Sequence, residues 1–277
     1  MPVFINTNVS SLEAQRNLSR TQDAQAKNFQ RLSSGMRINS ASDDAAGLAI
    51  SESLKSQVRS FGVAERNANN AISMAQTAES ALGQIGGILG RMRELAVQGA
   101  NGDLGSTDRG YLDTEFQSLR GEITRIADST QFNGKALLSG SSNTITFQVG
   151  INNTTSDRID VSFGGIDLTS LGISSSDVSG ATATNSQTAI TALDSAITTV
   201  STNRASYGAS MNRLSTTVSN LQSVKSNMAA ANSRIADVDV AEETASLARN
   251  QVLAQAAVSM LAQANQAPQL AMSLLRG

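Results

Sequence analysis

The sequence predicts a mainly α-helical protein, a long antiparallel helical rod or coiled coil with a small β-hairpin region. Apolar residues recur every seven positions in two stretches, one on each side of the middle of the chain. A repeat of about 3.5 residues keeps an apolar seam facing a partner helix, and it is typical of coiled-coil packing. The two stretches lie in opposite halves, so we expect the chain to fold back on itself. The series are Leu54, Phe61, Ala68, Ala75, Leu82 and Leu89, and then Leu193, Val200, Tyr207, Leu214, Leu221, Met228 and Ile235.

Composition argues against an enzyme, a metal site and a cofactor site. The 277 residues include no Cys and no His, which removes thiolate ligands and the commonest general base. The acidic clusters at 43–44 and 237–243 are expected to cap helices rather than to catalyse. A net charge of -2 with scattered basic residues gives no footprint for nucleic acid. No apolar run approaches the roughly 18 residues that would span a membrane.

The first half of the chain predicts three helices. They cover about 6–35, 44–98 and 109–128, and Ser42 or Asp43 is expected to be the N-cap of the second. Four glycines weaken the end of the second helix, and each costs about 0.5–1 kcal/mol relative to Ala. Close approach by a neighbouring helix is the favoured explanation, and a deliberately soft segment is the alternative. These glycines are Gly83, Gly86, Gly87 and Gly90.

The second half predicts a tight turn, a hairpin and two more helices. Asn133-Gly134 favours a turn with positive φ. Apolar and polar residues alternate around 145–149 and 159–163, which predicts a β-hairpin within a region at about 139–185. Helices are expected at about 187–236 and 241–275, and the last ends in an apolar C-terminus that implies a partner.

The stretch RMRELAVQ at 91–98 predicts a contact surface on the second helix. Arg91, Leu95 and Gln98 are spaced i, i+4 and i+7, so they fall on one helical face. Two arginines beside a Leu can make bidentate and packing contacts with a partner. An ordinary amphipathic face with an internal Arg-Glu pair remains the alternative.

Several motifs in order make the chain resemble bacterial flagellin, the subunit of the flagellar filament. The resemblance covers essentially the whole chain. The motifs are INTN at 5–8, RLSSG at 31–35, NSASDDAAGLAI at 39–50, RMRELAVQ at 91–98, TQFNG at 130–134, ANSRIAD at 231–237, and RNQ at 249–251 through APQ at 267–269.

The resemblance implies a division of the chain into two domains. Residues 1–42 and 237–277 would pair as an inner-tube coiled coil, and 43–236 would form an outer-tube domain. Only the hairpin region occupies the place where larger flagellins insert variable domains, so this resembles a short form. The implied partners are further copies of the chain, an export chaperone at the C-terminal helix, and filament cap and junction proteins. The residues expected to serve inner-tube assembly are Leu247, Leu253, Met260, Leu261, Leu270 and Leu274.

The resemblance also implies a receptor and a location. Arg91, Leu95 and Glu115 match the family surface that Toll-like receptor 5 binds on free monomers. The N-terminus lacks a signal-peptide pattern, which alone would suggest the cytoplasm. The resemblance instead implies export to the flagellum without a cleavable signal. Two alternatives stay open, a hook–filament junction protein and a soluble coiled-coil secreted binding module.

Overall fold

The structure is a computed structural model that describes the backbone of residues 7–140 and 142–276, and the side chains of 7–140 and 142–266. The described part is mainly helical, with two small antiparallel sheets, as the sequence predicts. The helices are α1 (Val9–Ser34), α2 (Ala45–Gly99), α3 (Ser106–Ser129), α4 (Thr184–Ala236) and α5 (Val240–Arg276). The strands are β1 (Gln131–Phe132), β2 (Lys135–Ala136), β3 (Asn143–Gln148) and β4 (Arg158–Phe163).

The chain divides into two compact units. The terminal unit comprises residues 1–58 and 227–277, and the central unit comprises residues 59–226. Helices α2 and α4 contribute residues to both. The predicted filament domains, with boundaries near 42 and 237, stay a prediction about the assembled state.

An apolar seam between α2 and α4 forms the core of the central unit, and it follows the predicted heptads. Alanines and leucines of α2 are buried in one cluster with the larger apolar side chains of α4. Three ion pairs flank the seam, namely Glu65–Lys225 at 3.1 Å, Glu79–Arg204 at 2.7 Å and Arg93–Asp194 at 2.6 Å. The fully buried heptad residues are Ala68, Ala75, Leu82 and Leu89 on α2, and Leu193, Val200, Tyr207, Leu214 and Leu221 on α4.

The predicted hairpin is confirmed and packs on this seam. β3 and β4 pair antiparallel, with Ile145 opposite Val161 and Phe147 opposite Ile159. Alternate residues of β4 are buried, the pattern expected of a strand with one face on a core. The Phe163 ring lies 5.5 Å from the Tyr207 ring, and the backbone N–H of Gly164 donates to the Tyr207 hydroxyl at 3.2 Å. Burial raises the pKa of Tyr207.

The turn between β1 and β2 is also as predicted. Asn133 has φ of 50° and Gly134 has φ of 76°, both in the left-handed region. Asn and Gly adopt this backbone at low cost, which explains why they stand at the tip of a two-residue hairpin.

A buried arginine, which the sequence gave no reason to single out, joins the end of α2 to the loop before α4. Arg109 is almost fully buried on α3, and its guanidinium donates to the carbonyls of Gly99 at 2.8 Å, Asn101 at 2.9 Å and Ala181 at 3.2 Å. Carbonyls at a helix C-terminus carry partial negative charge and lack intrahelical donors, so they accept well from a cation. Arg109 thereby satisfies three main-chain acceptors at once.

The N-cap of α2 is Asp44, and the prediction of Ser42 or Asp43 was wrong. The carboxylate of Asp44 accepts from the backbone N–H of Gly47 at 2.9 Å. Asp43 instead closes the preceding loop, where it accepts from the backbone N–H groups of Asn39 and Ser40. The hydrogen bond from Asn39 is the largest influence that lowers the pKa of Asp43. Neighbouring aspartates can both cap, and only the backbone path decides which one reaches the helix.

In the terminal unit, α1 packs against α5, and the connecting segments pair beside them. Gly35 ends α1 with φ of 69°, a left-handed cap that suits glycine. Met36 and Asp237 then form an antiparallel bridge, with backbone hydrogen bonds from Arg37 to Ala236 at 2.7 Å and from Val238 to Gly35 at 3.1 Å.

The glycines near the end of α2 do not serve close helix packing within the subunit, so that prediction was wrong. A Cβ at Gly87 or Gly90 would meet no atom within 4 Å. At Gly83 and Gly86 it would make only ordinary contacts, at 4.0 Å and 3.9 Å. The close approach lies instead at Gly99, where a Cβ would come within 2.7 Å of the Ser186 hydroxyl.

We therefore expect Gly87→Ala to stabilise the monomer and Gly99→Ala to destabilise it. Gly87→Ala removes backbone freedom from an exposed helical position and should raise the free energy of unfolding by about 0.5–1 kcal/mol. Gly99→Ala overpacks a buried contact and should lower it by about 1–3 kcal/mol. Urea unfolding followed by circular dichroism measures both, and equal effects of the two substitutions would contradict this account.

Candidate interaction surfaces

Arg91 and Glu115, two of the predicted receptor residues, meet on the surface of the central unit. The Nε of Arg91 donates to Glu115 Oε1 at 2.9 Å, across from α2 to α3. The same guanidinium donates to Glu94 Oε2 at 2.9 Å, one turn along α2. Glu115 first and Glu94 second raise the pKa of Arg91. We call Arg91, Glu94 and Glu115 the arginine surface.

Leu95 lies beneath this surface and is not part of it. Its side chain is 1% exposed, so the expectation that Arg91, Leu95 and Gln98 share one exposed face was wrong for Leu95. At about 100° per residue, Leu95 stands about 40° to one side of Arg91 and Gln98 about 20° to the other. The edge of the core falls within that angle of about 60°, so Leu95 packs inward while Gln98 stays exposed.

A second charged pair lies on nearly the opposite side of α2, because Arg93 stands about 200° round the helix from Arg91. Arg93 Nε donates to Asp194 Oδ1 at 2.6 Å, joining α2 to α4, and both side chains are about half exposed. Asp194 raises the pKa of Arg93, and Arg93 lowers the pKa of Asp194. Sequence reasoning missed Asp194, because no local pattern connects it to a residue so distant in the chain. The Arg-Glu pair that was the alternative explanation of this stretch is present as Arg91–Glu94.

The six predicted assembly residues of α5 differ in their surroundings. Leu247 and Leu261 are half-buried, whereas Leu253 is 49% exposed and Met260 is 64% exposed. Leu253 and Met260 stand seven residues apart, so they share one face of the helix. Leu270 and Leu274 lie outside the residues whose side chains the structure describes.

Further apolar side chains of the terminal unit face solvent, and the sequence analysis did not single them out. A cluster of exposed large apolar side chains on one region of a protein marks an interaction surface more often than isolated ones do. We call them, together with Leu253 and Met260, the terminal apolar residues. They are Val9, Leu12 and Phe29 on α1, Ile50 on α2, and Val240, Val252 and Val258 on α5.

Neither a metal-binding cluster nor a membrane-spanning helix is found among the described residues. No group of three or more acidic side chains among them could hold a metal ion, and no helix there is long and apolar enough to cross a membrane. An open groove of about 630 Å³ between α2 and α3 is lined mainly by hydroxyl and amide groups, with Arg125 beside it.

The Asp239 carboxylate accepts from the backbone N–H groups of Ala241 and Glu242, so it caps α5 as expected.

Comparison with known proteins identifies relatives along almost the whole chain. Residues 5–143 match the bacterial flagellin N-terminal helical region, and residues 190–275 match the bacterial flagellin C-terminal helical region. A flagellin of Halalkalibacterium halodurans is 43% identical over 276 residues, covering 99% of this chain and 100% of the relative. The flagellar filament 33 kDa core protein of Treponema phagedenis is 42% identical over 290 residues, with the same coverage.

A solved structure shares the fold. The structure of a putative flagellar hook-associated protein from Vibrio parahaemolyticus superposes with a TM-score of 0.58 at 17% sequence identity. The similarity covers 70% of this chain and 100% of that one. At this identity it supports the arrangement of helices and carries no argument about activity.

Proposed function

Because the chain belongs to the bacterial flagellin family, we propose that its two surfaces serve two different contacts of one filament subunit. The protein is a structural subunit of the flagellar filament, the extracellular polymer used for motility, and it is not an enzyme. This conclusion rests on the two flagellar relatives, because each match covers 99% of this chain and 100% of the relative. Relatives that are filament core proteins favour this function over a junction protein or a secreted binding module.

We propose that residues 1–42 and 237–277, which belong to the terminal unit, form the inner tube of the filament. Residues 43–236 are proposed to form the outer tube. The apolar side chains of the terminal unit supply the reason. In the free subunit the terminal apolar residues remain in water, and burying them against neighbouring copies removes that unfavourable contact. Contacts that repeat head to tail without closing a ring produce an open helical polymer.

Within α5 we propose two roles for the predicted assembly residues. Leu247 and Leu261 stand in heptad phase and are half-buried, so they belong to the pairing of α1 with α5 inside one subunit. Leu253 and Met260 are free to contact a neighbouring subunit. Leu270 and Leu274 are proposed to continue assembly contacts toward the end of the helix.

The arginine surface is proposed to bind Toll-like receptor 5 on the free monomer. Arg91 and Glu115 supply charged groups that are already held in place by their mutual hydrogen bond, which lowers the entropy lost on binding. Leu95 supports the surface from below through packing, because its side chain is not accessible.

Other partners follow from membership of the family. We propose that an export chaperone covers α5 before assembly, since among the described side chains of the terminal unit this helix carries the largest number of exposed apolar ones. Cap and hook-associated junction proteins are proposed to contact the ends of the filament through the same helices. No cofactor is proposed.

Met260→Lys should block polymerisation and leave the monomer folded. Met260 is mostly exposed, so the substitution should change the free energy of unfolding by no more than about 0.5 kcal/mol. Burying a lysine between subunits is costly, and we expect the concentration needed for polymerisation to rise at least about tenfold, or about 1.4 kcal/mol. Sedimentation and electron microscopy measure it. Met260→Leu is the matched control, and normal filaments from Met260→Lys would remove Met260 from the assembly contacts.

Arg91→Ala should weaken binding of the monomer to the Toll-like receptor 5 ectodomain by about tenfold or more, as expected for a central arginine of an interface. Surface plasmon resonance with monomeric protein measures it, and Glu115→Ala should act in the same direction. Arg125→Ala is the control, because Arg125 is exposed on α3 and pairs only with Glu122 among the described carboxylates. An unchanged affinity of Arg91→Ala would exclude the arginine surface as the receptor contact.

A further inference from the structure

The contact between α1 and α5 has polar residues at its most buried positions. On α1 the buried residues are Ser11 and Asn28, and both are polar. On α5 the buried side chain among the described residues is Glu243. A helix pair held by the hydrophobic effect shows the opposite pattern, with apolar side chains at the centre. Buried polar residues can specify how two helices align, at a cost in stability.

Asn28 lies at the centre of a cluster near the start of α5. With its carboxamide nitrogen facing the acceptors, it donates to the Ala24 carbonyl at 2.7 Å and to Glu243 Oε1 at 3.2 Å. Its oxygen accepts from the Ser246 hydroxyl at 3.2 Å and from the backbone N–H of Leu247 at 3.0 Å. This orientation is the one that satisfies the hydrogen-bond network. Arg31 adds an ion pair to Glu243 at 3.7 Å.

A second polar contact ties the other end of the helix pair. The Ser11 hydroxyl donates to Asn265 Oδ1 at 2.8 Å. The Asn8 side chain donates to the Ala264 carbonyl at 2.8 Å and also caps α1. The two helices are therefore joined by side-chain hydrogen bonds at both ends of their contact.

Apolar packing alone does not fix how α5 is aligned with α1. Leu247, Ala254 and Leu261 stand at heptad spacing, so a shift by seven residues would exchange one apolar residue for the next. The backbone bridge at Met36 and Asp237 brings the chain segments together, but backbone groups are the same at every residue and do not select an alignment. A shift of seven residues moves one helix by about 10 Å along the other.

The polar cluster does distinguish the two alignments. One heptad further along α5, the positions of Glu243, Ser246 and Leu247 are taken by Asn250, Leu253 and Ala254. These residues offer no carboxylate to pair with Arg31 and no hydroxyl to donate to the Asn28 oxygen, so the shifted pair would lose both contacts. Buried polar groups that lose their partners cost free energy, so the loss of these contacts favours the native alignment over the shifted one.

We propose that Asn28 and Glu243 are the residues that set the register between α1 and α5. Their contribution is specificity, and the apolar and small residues of the seam supply the attraction. The register places the terminal apolar residues of both helices at fixed relative positions. In a filament subunit, a shift of register by seven residues would displace those side chains by about 10 Å relative to each other. Their contacts with neighbouring copies would then be lost.

Engineered disulfides report the register directly, because the natural chain has no Cys. In the full chain, Ser11→Cys with Asn265→Cys joins two side chains that touch in the structure. Leu18→Cys with Asn265→Cys reports the alignment shifted by seven residues. In the native register that second pair is about 10 Å too far along the helix, beyond the roughly 7 Å that a disulfide allows between Cα atoms.

The test combines the double substitution Asn28→Leu and Glu243→Leu with each of the two cysteine pairs. The protein is mildly oxidised, and mass spectrometry measures how much of each disulfide forms. With Asn28 and Glu243 intact, we expect the first disulfide and almost none of the second. In the double variant, the first should fall several-fold and the second should appear, while helix content by circular dichroism is retained. Thr21→Leu, which adds apolar surface at a half-buried position of α1, should leave the native pattern unchanged.

Two results would overturn the proposal. If the double variant gives only the native disulfide, another feature sets the register. If it gives neither disulfide and loses helix content, the polar cluster supplies stability rather than specificity. Neither readout involves polymerisation, so failure of the proposed assembly role of α5 would leave this test unaffected. Sedimentation of the double variant without cysteines then shows whether a mixed register also prevents filament formation, as we expect.

Discussion

The buried apolar seam that the antiparallel helices α2 and α4 share is the feature on which the central unit depends. Ala68, Leu82 and Leu89 on α2 are buried in one cluster with Leu193 and Tyr207 on α4. Tyr207 then orients the β-hairpin, whose buried strand covers the same core. Each fully buried Leu contributes about 1.5–3 kcal/mol through the removal of apolar surface from water. The core of this unit therefore forms within one subunit.

The terminal unit differs from the central unit in which side chains it buries. Its helix pair has polar side chains at its most buried positions and leaves large apolar side chains in water, so part of its apolar surface gains no stabilisation within one subunit. A protein that must polymerise benefits from this arrangement, because the apolar surface is still available when neighbouring copies bind. The polar contacts meanwhile select which residues of α1 and α5 lie together. Stability and specificity are thus assigned to different parts of the same chain.

The structural features that depend on a local residue pattern could be predicted from the sequence. The heptads of α2 and α4, the alternating strands and the Asn133-Gly134 turn each carry their signal within a few turns of chain. Sequence reasoning missed features that depend on tertiary geometry. The cap at Asp44 and the burial of Leu95 are set by the path of the backbone and the edge of the core, and Arg109 and Asp194 act on residues distant in sequence. The open space beside Gly87 could be seen only once the neighbouring helices were placed.

Hydrogen exchange measured residue by residue in the monomer and in the filament tests this division of stability most directly. In the monomer, amides beside Leu82 and Tyr207 should exchange only when the central unit unfolds. Amides of α1 and α5 should exchange much faster, through local opening of the weakly packed helix pair. In the filament, the amides of α1 and α5 should become as slow as those of the central unit. Equal protection of all four helices in the monomer would contradict the account, because it would mean that α1 and α5 need no neighbouring subunit for their stability.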